Sequence, residues 1–139
     1  MDSEIKCVIV ADETLPAGVL ANTSVILGMT LGKLLPACVG TDVIDASGTV
    51  HKGITMIPIP ILKGTRDIIK ELRTKLSTEA FSDLVVVDFS DVAQSCMHYN
   101  DYISNAESHQ EEAFNYLGIA IYGSRKKVGK LTGFLPLLR

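Results

Sequence analysis

The sequence predicts a single α/β domain spanning residues 1–139, with three layers, α/β/α, built on a mixed sheet of about four strands plus a small hairpin. Three observations lead there. Short apolar runs at residues 7–11, 84–87 and 118–122 are interleaved with longer segments of helical period, the alternation that covers a sheet on both sides. With 139 residues the chain can enclose one sizeable core and is too short for two ordinary domains. Hydrophobic residues make up 47% and charged ones 21%, a composition that folds. The mean hydropathy of +0.27 is high for so small a chain. Elements buried on both faces, together with a surface shared with a second copy, account for it, so a homodimer is expected.

The first strand, Cys7-Val8-Ile9-Val10-Ala11, is apolar at every position, as a strand buried on both faces is. Asp12 and Glu13 open a loop, and Leu15-Pro16-Ala17-Gly18 leads into a helix over about residues 19–35. Its apolar positions recur at helical intervals through Val19, Ile26, Met29 and Leu34, widened by Leu20, Leu27 and Leu31. Pro36 ends it, because proline disfavours helical geometry in the residue before it. Asp42-Val43-Ile44-Asp45 and Thr49-Val50-His51 flank Ala46-Ser47-Gly48, the pattern of a hairpin with a bulge. Residues 54–62 read as a strand interrupted by Pro58 and Pro60. Two prolines two apart remove donors from the same side, which places this strand at a sheet edge or at a distorted part of one.

Thr65 is set to cap a helix that runs to about Ser77, with Ile68, Ile69, Leu72 and Leu76 as its inner stripe and Lys70, Glu71, Arg73 and Lys75 facing water. Leu84-Val85-Val86-Val87 is a further buried strand ending at Asp88. Residues 91–115 are polar and helical over part of their length. Gly118-Ile119-Ala120-Ile121-Tyr122 is the last strand, ended by Gly123, and a basic segment, Ser124-Arg125-Lys126-Lys127, follows.

Several chemistries are excluded or disfavoured. No run reaches the ~18 apolar residues of a membrane span, and the opening MDSEIK has the wrong charge order for a secretory signal. Cys7, Cys38 and Cys96 are odd in number and far apart, as reduced thiols of a cytoplasmic protein are. His51, His98 and His109 lack the spacing of a helical metal pair, and Asp42 and Asp45 suit solvent better than an ion. No metal and no cofactor are expected. There is no phosphate-binding glycine motif and no nucleophile motif. The net charge of -3 argues against broad nucleic-acid binding while leaving room for a local basic patch.

The tail Gly123-Ser124-Arg125-Lys126-Lys127-Val128-Gly129-Lys130-Leu131-Thr132-Gly133-Phe134-Leu135-Pro136-Leu137-Leu138 resembles the closing segment of the type-two peptidyl-tRNA hydrolases. The start is similar too, with Ala21-Asn22 where those enzymes carry Ala-Gln. Over its whole length the chain looks more like the family called domain of unknown function 2000. Asn22-Thr23, the run from Asp45 to Ile54, and Ile57-Pro58-Ile59-Pro60 carry that likeness. The resemblance implies the hydrolase-like fold, Asp88 at the position of the hydrolase aspartate and Gln94 near its downstream glutamine. It also shows a departure: the hydrolase lysine, four positions before the Ala-Gln glutamine, falls on Gly18, which has no side chain. Ester hydrolysis requires an activated water and a group that stabilises developing negative charge. An aspartate without a cation supplies part of that, and Lys33, Lys63 or Lys130 would have to supply the rest.

Ligands of open α/β sheets bind beyond the carboxyl ends of the strands. Three segments answer that description: the Asp12 to Gly18 loop with Asn22, Thr23 and Ser24; Asp88 to Gln94; and Gly123 to Lys127. Asn22 lies in an otherwise apolar helix, and a buried amide left unpaired costs ~1–3 kcal/mol, so it either pins a neighbouring loop or faces a pocket. Gly18 permits close backbone approach to an anion or simply serves a turn. Asp88 is either functional or caps the turn after its strand. Thr132 suits a helix end. Arg125, Lys126, Lys127 and Lys130 either track phosphates, as the tRNA resemblance implies, or balance the acids between Glu107 and Glu112. The expected site is therefore catalytic Asp88 with Gly18, Asn22, Thr23, Gln94 and Lys130 around a small or nucleotide-like ligand, without ordinary peptidyl-tRNA hydrolase activity. The alternatives are an ester or amide hydrolase using Asp88 with a relocated lysine, and a homodimeric structural or regulatory module.

Overall fold

A computed structural model describes residues 4–139, so the first half of the acidic opening lies outside the described residues. In chain order the elements are β1 (Ile5–Asp12), α1 (Ala17–Leu34), β2 (Val43–Ile44), β3 (Val50–His51), β4 (Ile61–Gly64), α2 (Arg66–Leu76), β5 (Val85–Ser90), α3 (Asp91–Gln94), α4 (Tyr99–Glu107), β6 (Tyr116–Ser124) and α5 (Arg125–Thr132). The mixed α/β character, the four-stranded sheet and the separate hairpin agree with the sequence reading.

The sheet order is β4-β1-β6-β5, with β4 parallel to β1 and β6 antiparallel to both β1 and β5. Successive residues of β1 point to opposite faces. Val8 and Val10 join Ile69, Leu72, Val128 and Leu131 of α2 and α5 in one apolar cluster. Cys7 and Ile9 join Leu27 and Leu31 of α1 in another. Gly118 sits where α1 approaches most closely: a Cβ there would lie 2.7 Å from Thr23 Cγ2 and 3.1 Å from Leu27 Cδ1.

Several local signals act as their chemistry predicts. Thr65 caps α2 by accepting from Ile68 N at 3.2 Å. The hairpin closes through Asp45, whose carboxylate accepts from Ser47 N and Thr49 N, with Gly48 at φ +86°, a conformation open mainly to glycine. Thr132 is buried at the end of α5 and donates to Val128 O at 2.8 Å.

Three expectations require correction. The strand expected over residues 54–62 shrinks to β4, with residues 56–60 irregular, because Pro58 and Pro60 interrupt the ladder. β4 is nonetheless an edge strand, and Pro60 still contributes its carbonyl to Ile9 N at 3.0 Å. Asp88 lies inside β5, which runs two residues further, and Ser90 caps the following helix instead, accepting from Ala93 N at 3.4 Å. Finally α1, with 18 residues and a mean hydropathy of 1.3, is long and apolar enough to cross a membrane by length and composition alone. Its docking on the sheet through Thr23, Leu27 and Leu31 makes it an element of the globular fold.

Candidate functional site

β1, β4 and β5 all run towards one edge of the sheet, ending at Asp12, Gly64 and Ser90. Asp12 closes β1 with a tight turn, its Oδ1 accepting from Thr14 N at 3.0 Å and Thr14 Oγ1 at 2.7 Å. Because β6 is antiparallel, its end lies elsewhere: Ser124 is paired with Ile5, at the start of β1. The segment 123–127 is thus at the opposite edge from Asp12 and Ser90, a correction to the three-segment site. Its Lys127 pairs with Asp83 at 2.7 Å, not with the acids of residues 107–112.

The remaining expected residues are dispersed. Asn22 is on the exposed side of α1, so no buried amide demands a partner. The buried polar residue of that helix is Thr23, whose hydroxyl donates to Val19 O at 2.8 Å and whose methyl packs over Gly118. Gly18 is exposed, and a Cβ there would meet nothing within 4 Å. Gln94 is exposed at the end of α3, and Lys130 is exposed on α5, across the sheet from α1.

Asp88 is the residue around which a site assembles. Its Oδ2 lies 3.1 Å from Arg73 Nε, and the two side chains are 24% and 28% exposed. Burial pushes the Asp88 carboxyl above the ordinary carboxylate range; Arg73 opposes the shift without cancelling it, and Glu111 adds to it. Tyr116 donates to Glu111 Oε2 at 2.6 Å, and burial, that bond and the charge of Asp88 hold its phenol firmly protonated. Lys70 donates to the carbonyls of Glu111, Glu112 and Phe114 and lies over the Tyr116 ring, which ties the turn at Glu111–Ala113 to α2.

Asp88 also borders a cleft of about 410 Å³ between α1, β5 and the α3–α4 segment. Ile26 and Thr30 form its α1 wall, Phe89 its floor, and His98, Tyr99 and Tyr102 its outer rim. The two tyrosines meet edge to face at 5.7 Å. Burial and the nearby Asp88 charge raise the Tyr102 phenol above its ordinary range. The α3–α4 wall is anchored by Asp91, which accepts from Asn115 N at 3.0 Å and Asn115 Nδ2 at 3.1 Å. Asp88 shares its face of β5 with Val86, towards α2, while Val87 and Phe89 face α1. Its carboxylate therefore meets this cleft at the sheet edge near Tyr102, where a carboxylate beside aromatic rings can accept from a donor group of a flat ligand.

The sequence singles out Asp88 but gives no sign of Arg73, Glu111, Tyr102 and Tyr116 beside it. Arg73 reads as part of the wetted face of α2, and only the packing of α2 against β1 and β6 turns it towards a carboxylate. The cation that pairs with Asp88 is an arginine, Arg73, and not Lys33, Lys63 or Lys130. Among the described residues no group of three or more His, Cys, Asp and Glu side chains gathers as a metal site would require.

A family model described as a protein of unknown function, DUF2000, matches residues 5–139. A solved structure of a protein of unknown function, Atu0240 of Agrobacterium tumefaciens strain C58, is similar with a TM-score of 0.88 and 14% identity. The match covers 99% of this chain and 100% of that one, and at that identity it bears on the fold alone. No curated protein matches the chain.

Proposed function

For this chain, which belongs to the DUF2000 family, we propose a small-molecule-binding function centred on the cleft beside Asp88, without peptidyl-tRNA hydrolase chemistry. One observation carries the reading. Asp88 is held half-buried at a net electrostatic cost, since burial outweighs the Arg73 attraction. Groups kept in unfavourable protonation environments beside a cleft are candidates for binding or catalysis. The cleft offers one carboxylate at its edge, tyrosine rings, apolar walls and the polar side chains of Thr30 and His98, which suits a neutral, flat, nucleoside-like ring presenting an N–H donor. A phosphate placed beside Asp88 would be repelled. Catalysis is disfavoured because Lys70 is engaged by three carbonyls, and the cation at Asp88 is an arginine.

The test is Asp88→Asn. Titration with a panel of nucleosides, followed by NMR shifts of the cleft residues, is expected to show binding that weakens at least ~10-fold in the variant, the loss typical of a hydrogen bond to a charged group. Stability moves the other way. A carboxyl whose folded pKa is raised above 3.8 stabilises the fold in acid and loses that contribution as pH rises through the folded value. Asp88→Asn therefore melts at an equal or higher temperature than wild type at neutral pH, and the gap closes as pH falls towards 3.8. A lower melting temperature at neutral pH with unchanged nucleoside binding would reject the assignment, as would robust cleavage of peptidyl-tRNA by the wild type.

A second reading, a homodimeric module, is supported by the outer face of α1. Val25 is 65% exposed and Met29 81%, one turn apart on the same side of the helix. Sedimentation at micromolar concentration is expected to give a dimer that dissociates in Met29→Lys; a clean wild-type monomer rules it out.

A further inference from the structure

A second cavity, lined by none of the residues of the Asp88 cleft, lies against a different side of the C-terminal half of α1. It is a recess of about 280 Å³, open to solvent on one side, between α1, the start of β1, the turn at Pro36–Cys38 and the irregular stretch before β4. We propose that this cavity is a binding site for an uncharged apolar molecule of roughly bicyclic-ring size.

The wall on α1 is formed by Gly28 and Gly32 with Leu31 between them. Glycine weakens a helix interior relative to alanine, and at both positions a Cβ would meet nothing within 4 Å. Neither glycine is required by close packing. What they do is keep one face of the helix bare, one turn apart, where the cavity lies. The opposite wall is a short ladder in which Gly40 N donates to Ile54 O at 2.9 Å and Met56 N to Cys38 O at 2.8 Å. That ladder is locked by the contact of Gly53 with Gly40, where a Cβ on Gly53 would fall 1.8 Å from Gly40 O. The cavity is therefore held open by rigid backbone on one side and a helix on the other.

Its lining sets the chemistry. Among the described residues no Asp, Glu, Lys, Arg or His borders it, and the polar side chains are two thiols and one hydroxyl. The Thr55 hydroxyl is engaged, donating to Ile57 O at 3.0 Å and accepting from Ile57 N at 3.2 Å. The Cys7 thiol, raised to about 11 by burial and by the neighbouring Cys38, stays neutral. Buried water needs two or more polar partners, and an apolar cavity of ~150 Å³ takes up benzene instead. The recess here is larger and open on one side, so it admits a molecule of up to about twice that size with one edge left in solvent.

The experiment uses the full chain and the neutral fluorophore N-phenyl-1-naphthylamine. Saturable one-to-one binding is expected, at least tenfold tighter than that of the anionic 1-anilinonaphthalene-8-sulfonate. Gly28→Leu and Gly32→Met put side chains into the cavity and are each expected to weaken binding at least tenfold while the melting temperature holds or rises. Met29→Ser, on the outer side of α1, leaves binding unchanged. In a Cys96→Ser background the bound probe slows N-ethylmaleimide modification of Cys38. Absence of binding, tighter binding of the anion, equal affinity in both glycine variants, loss of binding in Met29→Ser, or unprotected Cys38 would each overturn the proposal. Because Asp88 is not involved, Asp88→Asn keeps the full response to this probe, which separates this site from the proposed nucleoside cleft.

Discussion

Leu27→Ala is expected to destabilise the protein by about 2–5 kcal/mol, the range for truncating a fully buried leucine. Leu27 is 0% exposed, and α1 has only Thr23, Leu27 and Leu31 as buried residues among its 18. The opposing surface includes Gly118, which has no side chain to move into the space left behind. The void therefore persists, and the loss should fall in the upper half of that range. Urea unfolding monitored by circular dichroism measures it, and a loss below ~1 kcal/mol would mean that α1 is held by contacts other than this stripe. The consequence reaches both cavities. Ile26 and Thr30 border the cleft beside Asp88, while Gly28, Leu31 and Gly32 border the apolar cavity. A helix loosened at Leu27 should weaken both ligands together, whereas Asp88→Asn and Gly28→Leu each weaken one.

Arg73→Met is expected to cost about 1–3 kcal/mol at neutral pH, less than the 3–5 kcal/mol of a fully buried pair because water reaches about a quarter of both side chains. Methionine keeps most of the packing of the arginine stem, so the loss reports mainly on the charge. The cause is the carboxylate left behind: burial already raises its pKa, and without the guanidinium that pKa rises further. The sign follows by linkage. The loss is complete above the pKa that Asp88 takes in the variant, shrinks as pH falls through it, and vanishes below the wild-type folded value, where the carboxyl is neutral in both proteins. Unfolding curves at neutral pH and in acid test this. A loss that does not change with pH would assign Arg73 a packing role only.

These two positions mark how far the sequence could be read. Leu27 was legible because helical period places it on the same stripe as Leu31, and Asp88 because a carboxylate directly after an apolar run stands out. Arg73 was not legible, since an arginine among Lys70, Glu71 and Lys75 has the look of a solvated face. Asn22 misled for the opposite reason. In so apolar a helix an amide suggests burial, yet α1 docks by a narrow stripe, and Val25 and Met29 share its exposed side with Asn22.

Local chemistry by itself determined most of the elements: the apolar runs of β1, β5 and β6, the Thr65 cap of α2, the glycine turn of the hairpin and the halt of α1 at Pro36. Each of these depends on residues within a few positions of one another, so the information is present in the chain. Strand direction and side-chain partnership are not local. A run buried on both faces has the same composition whether its neighbour is parallel or antiparallel, and the 25 residues between β5 and β6 permit either. Only the tertiary structure turned β6 around. That carried the basic segment to the far edge of the sheet, while the packing of α2 on β1 and β6 set an arginine of its charged face beside Asp88.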